Sequence, residues 1–546
     1  MAFTLVQAGT SLYTLNGQGG QSAALTLPGG VALDTNRVPR FTKFNRFVVV
    51  ANSPNRPLTV DTAGSVRELT PDAPAAPLTM AGATGALTGT YLAKYAYIIL
   101  DSLGNTIAHS DYSPVMAAAV TISAQGLLVT NLVPYHDTYT EFANVGTGSK
   151  LAIPQMRLYR TVTNGSVYFK WLDVSAPAFT IDGAATAITT LSDLPDAALS
   201  LFEAPLVGPA PDLTLVKEWQ GRLWGVDRVF VDDLRYTESG LMTAWSALNT
   251  IPIRAGQDAA GIMAIIPRRN ALGVARREVM VQIVGTSTSN FTSTTIPGGE
   301  GRGCVCQESV IVDNDVAYFL GLDGVYKWDA SGVSCISRDG NVSSWFDGDT
   351  YFNRSLYHRV KAQLVDRKYR LFLASAGSST IDRWVEYEID AQTWWGIHKT
   401  NAFSPSCTID IAGADNQTYP MVGSVEGFVL QEHDEANDLQ TVGIPLRLET
   451  KKHGDPEHES YFGELSVWGE AQATGSLSIT PIVGELSGTG AITGPSFTLD
   501  LTQSRQRLGR VGSGKHASLV FEHSATDEPV VLYGYTIDPV SPTGRR

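Results

Sequence analysis

The sequence predicts an all-β protein: a β-propeller of six blades, interrupted by one fibronectin-III/Ig-like β-sandwich and followed by a second, C-terminal β-sandwich. Three observations predict it. Fifty-two glycines and 27 prolines are scattered among short runs rich in Val, Ile, Tyr, Phe and Thr, the texture of strands separated by tight turns. Sustained helical periodicity is nearly absent, the one plausible helix being a connector over residues 193–202. A loose repeat, a polar turn followed by an alternating strand, recurs along much of the chain.

The repeat begins with Asn-Arg-Phe-Val-Val-Val-Ala at 45–51 and returns as Gln-Gly-Arg-Leu-Trp-Gly-Val at 220–226. Asn-Asp-Val-Ala-Tyr-Phe-Leu at 314–320 and Arg-Lys-Tyr-Arg-Leu-Phe-Leu at 367–373 belong with them, and 277–283 and 417–423 are weaker members. From Arg222 the units start about 40 to 55 residues apart, the range of four-stranded propeller blades. A blade cannot bury both apolar faces alone, so blades stack around an axis until few free edges remain. Six blades fit the count, or seven if residues 3–27 form a blade rather than a closing strand.

Between the first two units the repeat is broken by far more than one blade. Within residues 75–200 the runs at 95–100, 127–130, 156–161 and 168–172 alternate between turn signals, as in a small sandwich. Past about residue 440 the repeat stops, and new strands at 461–469, 475–483, 496–501, 516–522 and 530–537 predict the second sandwich. The expected division is 1–74 first part of the propeller, 75–200 inserted sandwich, 201–440 remainder of the propeller, and 441–546 C-terminal sandwich with a flexible tail from Pro539.

A formal net charge of −14 argues against sequence-specific nucleic-acid binding, which relies on clustered Lys and Arg. It suits a channel along which DNA slides without sticking. Cys304, Cys306, Cys335 and Cys407 are too few for a disulfide framework and lack zinc-site spacing, so they read as unpaired packed thiols. The first residues carry no basic region followed by an apolar run, and no stretch is long enough to span a bilayer.

Motifs of chemistry are weak. The glycine-rich run at 298–303 lacks a following Lys-Ser/Thr and a helix, and reads as a mobile loop between blades. His453 and His458, with Asp455, Glu457 and Glu459, form a mixed-charge loop whose plainer reading is solvation. Trp219, Trp224, Trp394 and Trp395 are expected to pack inside blades rather than form a sugar platform. Neither an Asp-box nor spaced arginines of a propeller hydrolase are present. No catalytic, cofactor-binding or metal residue is assigned, and the expectation is a protein that is not an enzyme.

The segment Trp-Gln-Gly-Arg-Leu-Trp-Gly at 219–225, followed by Leu-Arg-Tyr-Thr-Glu at 234–238 and by Trp245, resembles a strand pair of the propeller-containing tail proteins of short-tailed bacteriophages, called nozzle, hub or DNA-stabilisation proteins. The stretch from Asp315 to Tyr326 is similar to another recurrent segment of that group. The resemblance covers roughly residues 201–435, and the two sandwiches only in general character. It implies a virion tail subunit assembled in the bacterial cytoplasm into a six-fold homo-oligomeric ring. Its partners would be the tail adaptor or connector proteins and tail fibres. The ring's channel would retain packaged double-stranded DNA and later conduct it, with no membrane insertion by this chain. The alternatives are a receptor-binding or fibre-docking tail protein and a propeller glycoside hydrolase.

Overall fold

The computed structural model describes residues 4–542 except 16–21, 29–30, 53–55, 72, 101–102, 134–152, 176–187, 200–206, 257–259, 401–402, 413–417, 432–436, 439–441, 444–445, 455–458, 485–491 and 526–529. The described residues are nearly all β, in antiparallel sheets with only short helical turns among them. It divides into two compact units: Met1–Leu371 with Tyr387–Trp394 and Ile411–Thr418, and Phe372–Glu386 with Trp395–Asp410 and Tyr419–Arg546.

Five four-stranded sheets run in simple sequence order, the up-and-down connectivity of propeller blades. They begin with the strands Arg40–Phe44, Leu213–Trp219, Ala264–Pro267, Ile311–Asp313 and Lys361–Val365. A sheet of three strands, Pro405–Ala412, Thr418–Ser424 and Val429–Gln431, follows. Within the first unit the opening strands neighbour one another, Leu213–Trp219 lying against both Arg40–Phe44 and Ala264–Pro267, and Ile311–Asp313 against Lys361–Val365. Among the described residues the N-terminal strands Thr4–Ala8 and Ser11–Leu15 form a two-stranded hairpin. Leu5 and Leu12 share a core with Val50, Leu58 and Val60 of the first sheet.

The strong members of the sequence repeat have one structural meaning. Each is the two-residue turn from the first to the second strand of a sheet, as the pairs Phe44↔Phe47, Trp219↔Arg222 and Asp313↔Val316 record. At Gln220–Gly221, Asn314–Asp315 and Asp366–Arg367 both turn residues have positive φ, the backbone twist that two-residue hairpins need. The weaker unit at 277–283 falls on a third strand, Val279–Val284, because the second strand of that sheet, Leu272–Ala275, follows a longer turn from Pro267.

Between the first and second of these sheets the chain builds two more, ordered Ile188–Ser192, Val120–Leu132, Thr79–Tyr91 and Tyr168–Ser175, Ile153–Thr161, Ala93–Leu100, Thr106–His109. One apolar core continues from this sandwich, through Tyr95, Ile99, Leu127, Leu158 and Trp171, into Phe44, Phe47, Leu213, Leu223 and Trp245 of the adjoining sheets. Thr243 Oγ1 donates to the Ile107 carbonyl at 2.6 Å across the same junction. The connector expected as a helix is a single 3-10 turn, Asp196–Ala198, since Pro195 and Leu199 on either side are extended; residues 200–202 lie outside the described residues.

In the second unit the C-terminal sandwich pairs Leu446–Glu449, His516–His523, Ser476–Gly484 and Ile492–Thr493 in that order, with Phe497–Asp500 also on Ser476–Gly484. The other sheet is Arg505–Gly514, Ser460–Gly469 and Leu532–Pro542. Phe462, Leu465, Leu477, Ile479, Leu519 and Phe521 fill the space between them. The flexible tail expected from Pro539 is corrected: the last strand runs to Pro542, where it pairs with Ser460.

Candidate assembly surface and charged centre

Where the opening strands of the blade-like sheets meet, the sequence places basic side chains. Arg40 comes from the first of these strands, Lys217 from the second and Lys361 from the fifth, and a 3-10 turn, Gln307–Ser309, carries Glu308 into their midst. The Arg40 guanidinium pairs with the carboxylate: Nη2 donates to Oε2 at 3.1 Å, and Nε stands 2.6 Å from Oε1. The Cys306 thiol donates to Oε2 at 3.0 Å. Burial alone would raise the Glu308 carboxyl, but Arg40 and Lys361 outweigh it and hold the group below the usual glutamate range. Burial pushes the Lys217 ammonium down and the Cys306 thiol well up, so the thiol stays protonated and a donor.

The turn is fixed from both sides. The Gln307 amide acts as a piece of backbone, accepting from Ile265 N–H at 2.7 Å and donating to Ile265 C=O at 3.2 Å. Tyr369 Oη donates to the Ser309 carbonyl at 2.7 Å. This makes a rigid, charge-paired centre. Among the described residues named at this centre Glu308 is the one carboxylate, and its Oε2 accepts from both Arg40 and Cys306, which is unlike the pair of carboxyls that glycoside hydrolysis uses.

A cleft of about 870 Å³ opens beside the inserted sandwich, lined among others by Arg56, Asp111, Asp212, Arg235 and Trp245. Two of its acids have cationic neighbours: Asp111 contacts Arg56, and Asp212 lies 3.6 Å from Arg228, and Glu68 lines the cleft beside them. Deeper in the sandwich, His109 is buried. Its Nδ1–H donates to the Ser110 carbonyl, and Nε2 accepts from Tyr159 Oη at 2.9 Å. Burial pushes His109 down to about 4, so the ring is neutral and works as a hydrogen-bonded core residue.

Three consecutive apolar residues, Val229, Phe230 and Val231, occupy the loop between the second and third strands of the second sheet, with all three side chains exposed. It is not slack. Asp227 Oδ1 accepts from Val229 N–H at 2.8 Å and Phe230 N–H at 3.4 Å, and Asp233 N–H donates to the Phe230 carbonyl at 2.9 Å. Ile262 N–H ties down the Val231 carbonyl at 2.9 Å. A braced loop that holds three apolar side chains in water has the character of a contact surface.

No family model and no curated protein matches the chain. Solved structures do. An exo-β-1,3-galactanase from Phanerochaete chrysosporium, with galactose, is 11% identical with a TM-score of 0.23, over 60% of this chain and 94% of its own. PorZ, a surface component of the type-IX secretion system of Porphyromonas gingivalis, is 11% identical with a TM-score of 0.28, over 81% of this chain and 61% of its own. A glycoside hydrolase family 43 arabinoxylan arabinofuranohydrolase from Bacillus subtilis is 10% identical with a TM-score of 0.17, over 93% and 96%. Likenesses this distant carry no argument about activity.

The sequence candidates disperse. The first half of the glycine-rich run is strand and the second half is loop: the strand Thr292–Glu300 passes through Gly298 and Gly299, and a Cβ on Gly303 would stand 2.0 Å from the Arg276 carbonyl oxygen. Close packing against backbone is what the glycine is for. His453 bridges to Ala517 and contacts Tyr535 Oη at 2.5 Å, while Asp455, Glu457 and His458 lie outside the described residues. Trp219, Trp224 and Trp394 are buried as expected, but Trp395, one residue on along the same strand, faces solvent. All four cysteines are free; Cys304, Cys306 and Cys335 are buried, and Cys407, expected to be packed, is exposed. The charged centre and the Val229 to Val231 loop were missed by sequence reasoning. A lysine or arginine in the first, second and fifth opening strands was the available signal for the first, and three apolar residues in a turn the signal for the second.

Proposed function

We propose that this chain is a non-enzymatic virion protein, a subunit of the tail nozzle of a short-tailed bacteriophage that works by shape and ring closure. The observation that carries the reading is the braced Val229, Phe230, Val231 loop, an apolar surface on a folded subunit that a neighbouring copy would cover. The loop joins the two strands that carry the phage-like motif, Arg222–Asp227 and Asp233–Thr237. Glu308, held charged by Arg40 and Lys361, and the ion-paired Asp111 and Asp212 of the cleft favour a structural role over hydrolysis, because a general acid needs a carboxyl ready to release its proton. On this reading six copies close a ring that contacts the connector and the tail fibres, and double-stranded DNA passes along the ring's axis without sequence-specific contacts.

The test is the mass of the purified chain, alone and with connector proteins, by light scattering together with negative-stain imaging. Six-fold rings with an axial hole support the proposal. A stable monomer or trimer that binds cell-surface glycan overturns it in favour of the receptor or hydrolase alternatives.

A further inference from the structure

The strand Leu446–Glu449 is the edge of its sheet: it pairs with His516–His523 on one side, and no described strand pairs with the other. All four of its residues are exposed. Register puts Leu446 opposite His523 and Leu448 opposite Phe521, on the face that packs the sandwich core, yet Leu446 is 37% and Leu448 50% exposed. The core is therefore uncovered along this edge. The strand has none of the prolines or bulges that usually blunt an edge.

The direction of its free peptide groups follows from one hydrogen bond. Thr450 N–H donates to the Leu519 carbonyl, its opposite residue, at 2.9 Å. Peptide groups alternate along an antiparallel strand, so those of Leu446 and Leu448 also turn inward, and those of Arg447 and Glu449 turn outward. A second antiparallel strand can bond this edge only through Arg447 and Glu449. When the partner is another copy of the same strand, three two-fold centres bring those groups together. Centring on Arg447 sets arginine against arginine, and centring on Glu449 sets glutamate against glutamate. Centring on Leu448 sets each Arg447 opposite the other copy's glutamate at 449, with the two leucines at 448 face to face.

We propose that two copies of this chain pair along the edge strand Leu446–Glu449, antiparallel and centred on Leu448. Each Arg447, which already reaches Glu522 at 2.7 Å on the neighbouring strand, then lies between two carboxylates, one from each copy. The leucines at 446 and 448 of both copies close the open edges of the two cores. The contact is isologous, so it joins copies two by two and does not itself propagate a ring; it stands apart from the nozzle proposal.

Two-fold pairing places residue 448 next to itself, about 4.5 Å between Cα atoms in a pair that is not hydrogen-bonded, whereas 446 faces 450. In the full-length chain with Cys407→Ser, Leu448→Cys is expected to crosslink on mild oxidation to twice the 58.6 kDa chain mass, at least tenfold faster than Leu446→Cys. Glu449→Arg, which sets like charges opposite each other without a core contact, is expected to weaken the dimer at least tenfold in sedimentation velocity. Equal crosslinking rates at the two positions, no crosslink at 448, or an unchanged dimer in Glu449→Arg would each overturn the proposal.

Discussion

Replacing Phe230 with aspartate is expected to break self-assembly while leaving the subunit folded. The Phe230 side chain is 56% exposed, Val229 67% and Val231 40%. Fully burying side chains of this kind is worth about 1.5–3 kcal/mol each. Scaled by the exposed fractions, covering the three contributes roughly 3 kcal/mol per contact, about half of it from the ring. That corresponds to roughly two hundredfold in an association constant. Aspartate removes the ring's share and adds a carboxylate the neighbour must desolvate, so a loss of about 100-fold per contact is expected. The subunit has little at stake, because the loop is shaped by the Asp227 and Asp233 hydrogen bonds, and the ring's contact with the Arg235 guanidinium, 6.0 Å from its centroid, is a loose one. Its own stability should change by less than about 0.5 kcal/mol. Sedimentation velocity over a concentration series reads the first effect and a thermal melt the second. Assembly at the parent concentration would refute the reasoning, and so would a melting point lowered by several degrees.

Two further predictions concern the interior. Arg160 is wholly buried and donates to Asp196 Oδ1 at 2.6 Å and to the Thr161 and Leu194 carbonyls at 3.0 and 2.5 Å. Arg160→Met is expected to cost about 3–5 kcal/mol, read as faster amide exchange in peptides of the inserted sandwich; unchanged exchange would show the pair to be dispensable. At the charged centre, Glu308→Gln leaves Arg40 and Lys361 without their carboxylate, at a similar cost of about 3–5 kcal/mol in a urea melt. Because the folded Glu308 value is depressed, its stabilisation is complete above the unfolded value of about 4.3 and drains away as pH falls through the lower folded value. The stability of Glu308→Gln should therefore fall less steeply below pH 4 than that of the parent, and parallel curves would count against the assignment.

What was legible in the sequence was local. Two-residue turns leave a signature because positive φ at both positions favours Gly, Asn and Asp, and the strand after the turn must alternate; Gln220–Gly221 and Asn314–Asp315 were found this way. The third sheet was harder to see, its second strand following a longer turn with no such demand. The strand Arg505–Gly514 was missed altogether, since its three arginines and three glycines give no apolar alternation and only Val511 is buried. The charged centre was illegible for a different reason. Arg40, Lys217, Glu308 and Lys361 are spread over more than 300 residues, and only the side-by-side packing of opening strands brings them together.

That centre bears on where a conduit for DNA would run. Three basic side chains face a single carboxylate there, although the chain as a whole carries −14. The excess of acid therefore lies outside the cluster. A passage lined by Arg40, Lys217 and Lys361 would hold phosphates and resist sliding, because each neutralised phosphate adds salt-sensitive affinity. On the nozzle reading the conduit must then lie between copies, walled by outer surfaces, and its bore is set by how subunits meet. Assembly and conduction become one property. A Phe230→Asp chain that cannot close a ring should lose both together, whereas Glu308→Gln, folded but weakened, should keep the conduit wherever it still assembles.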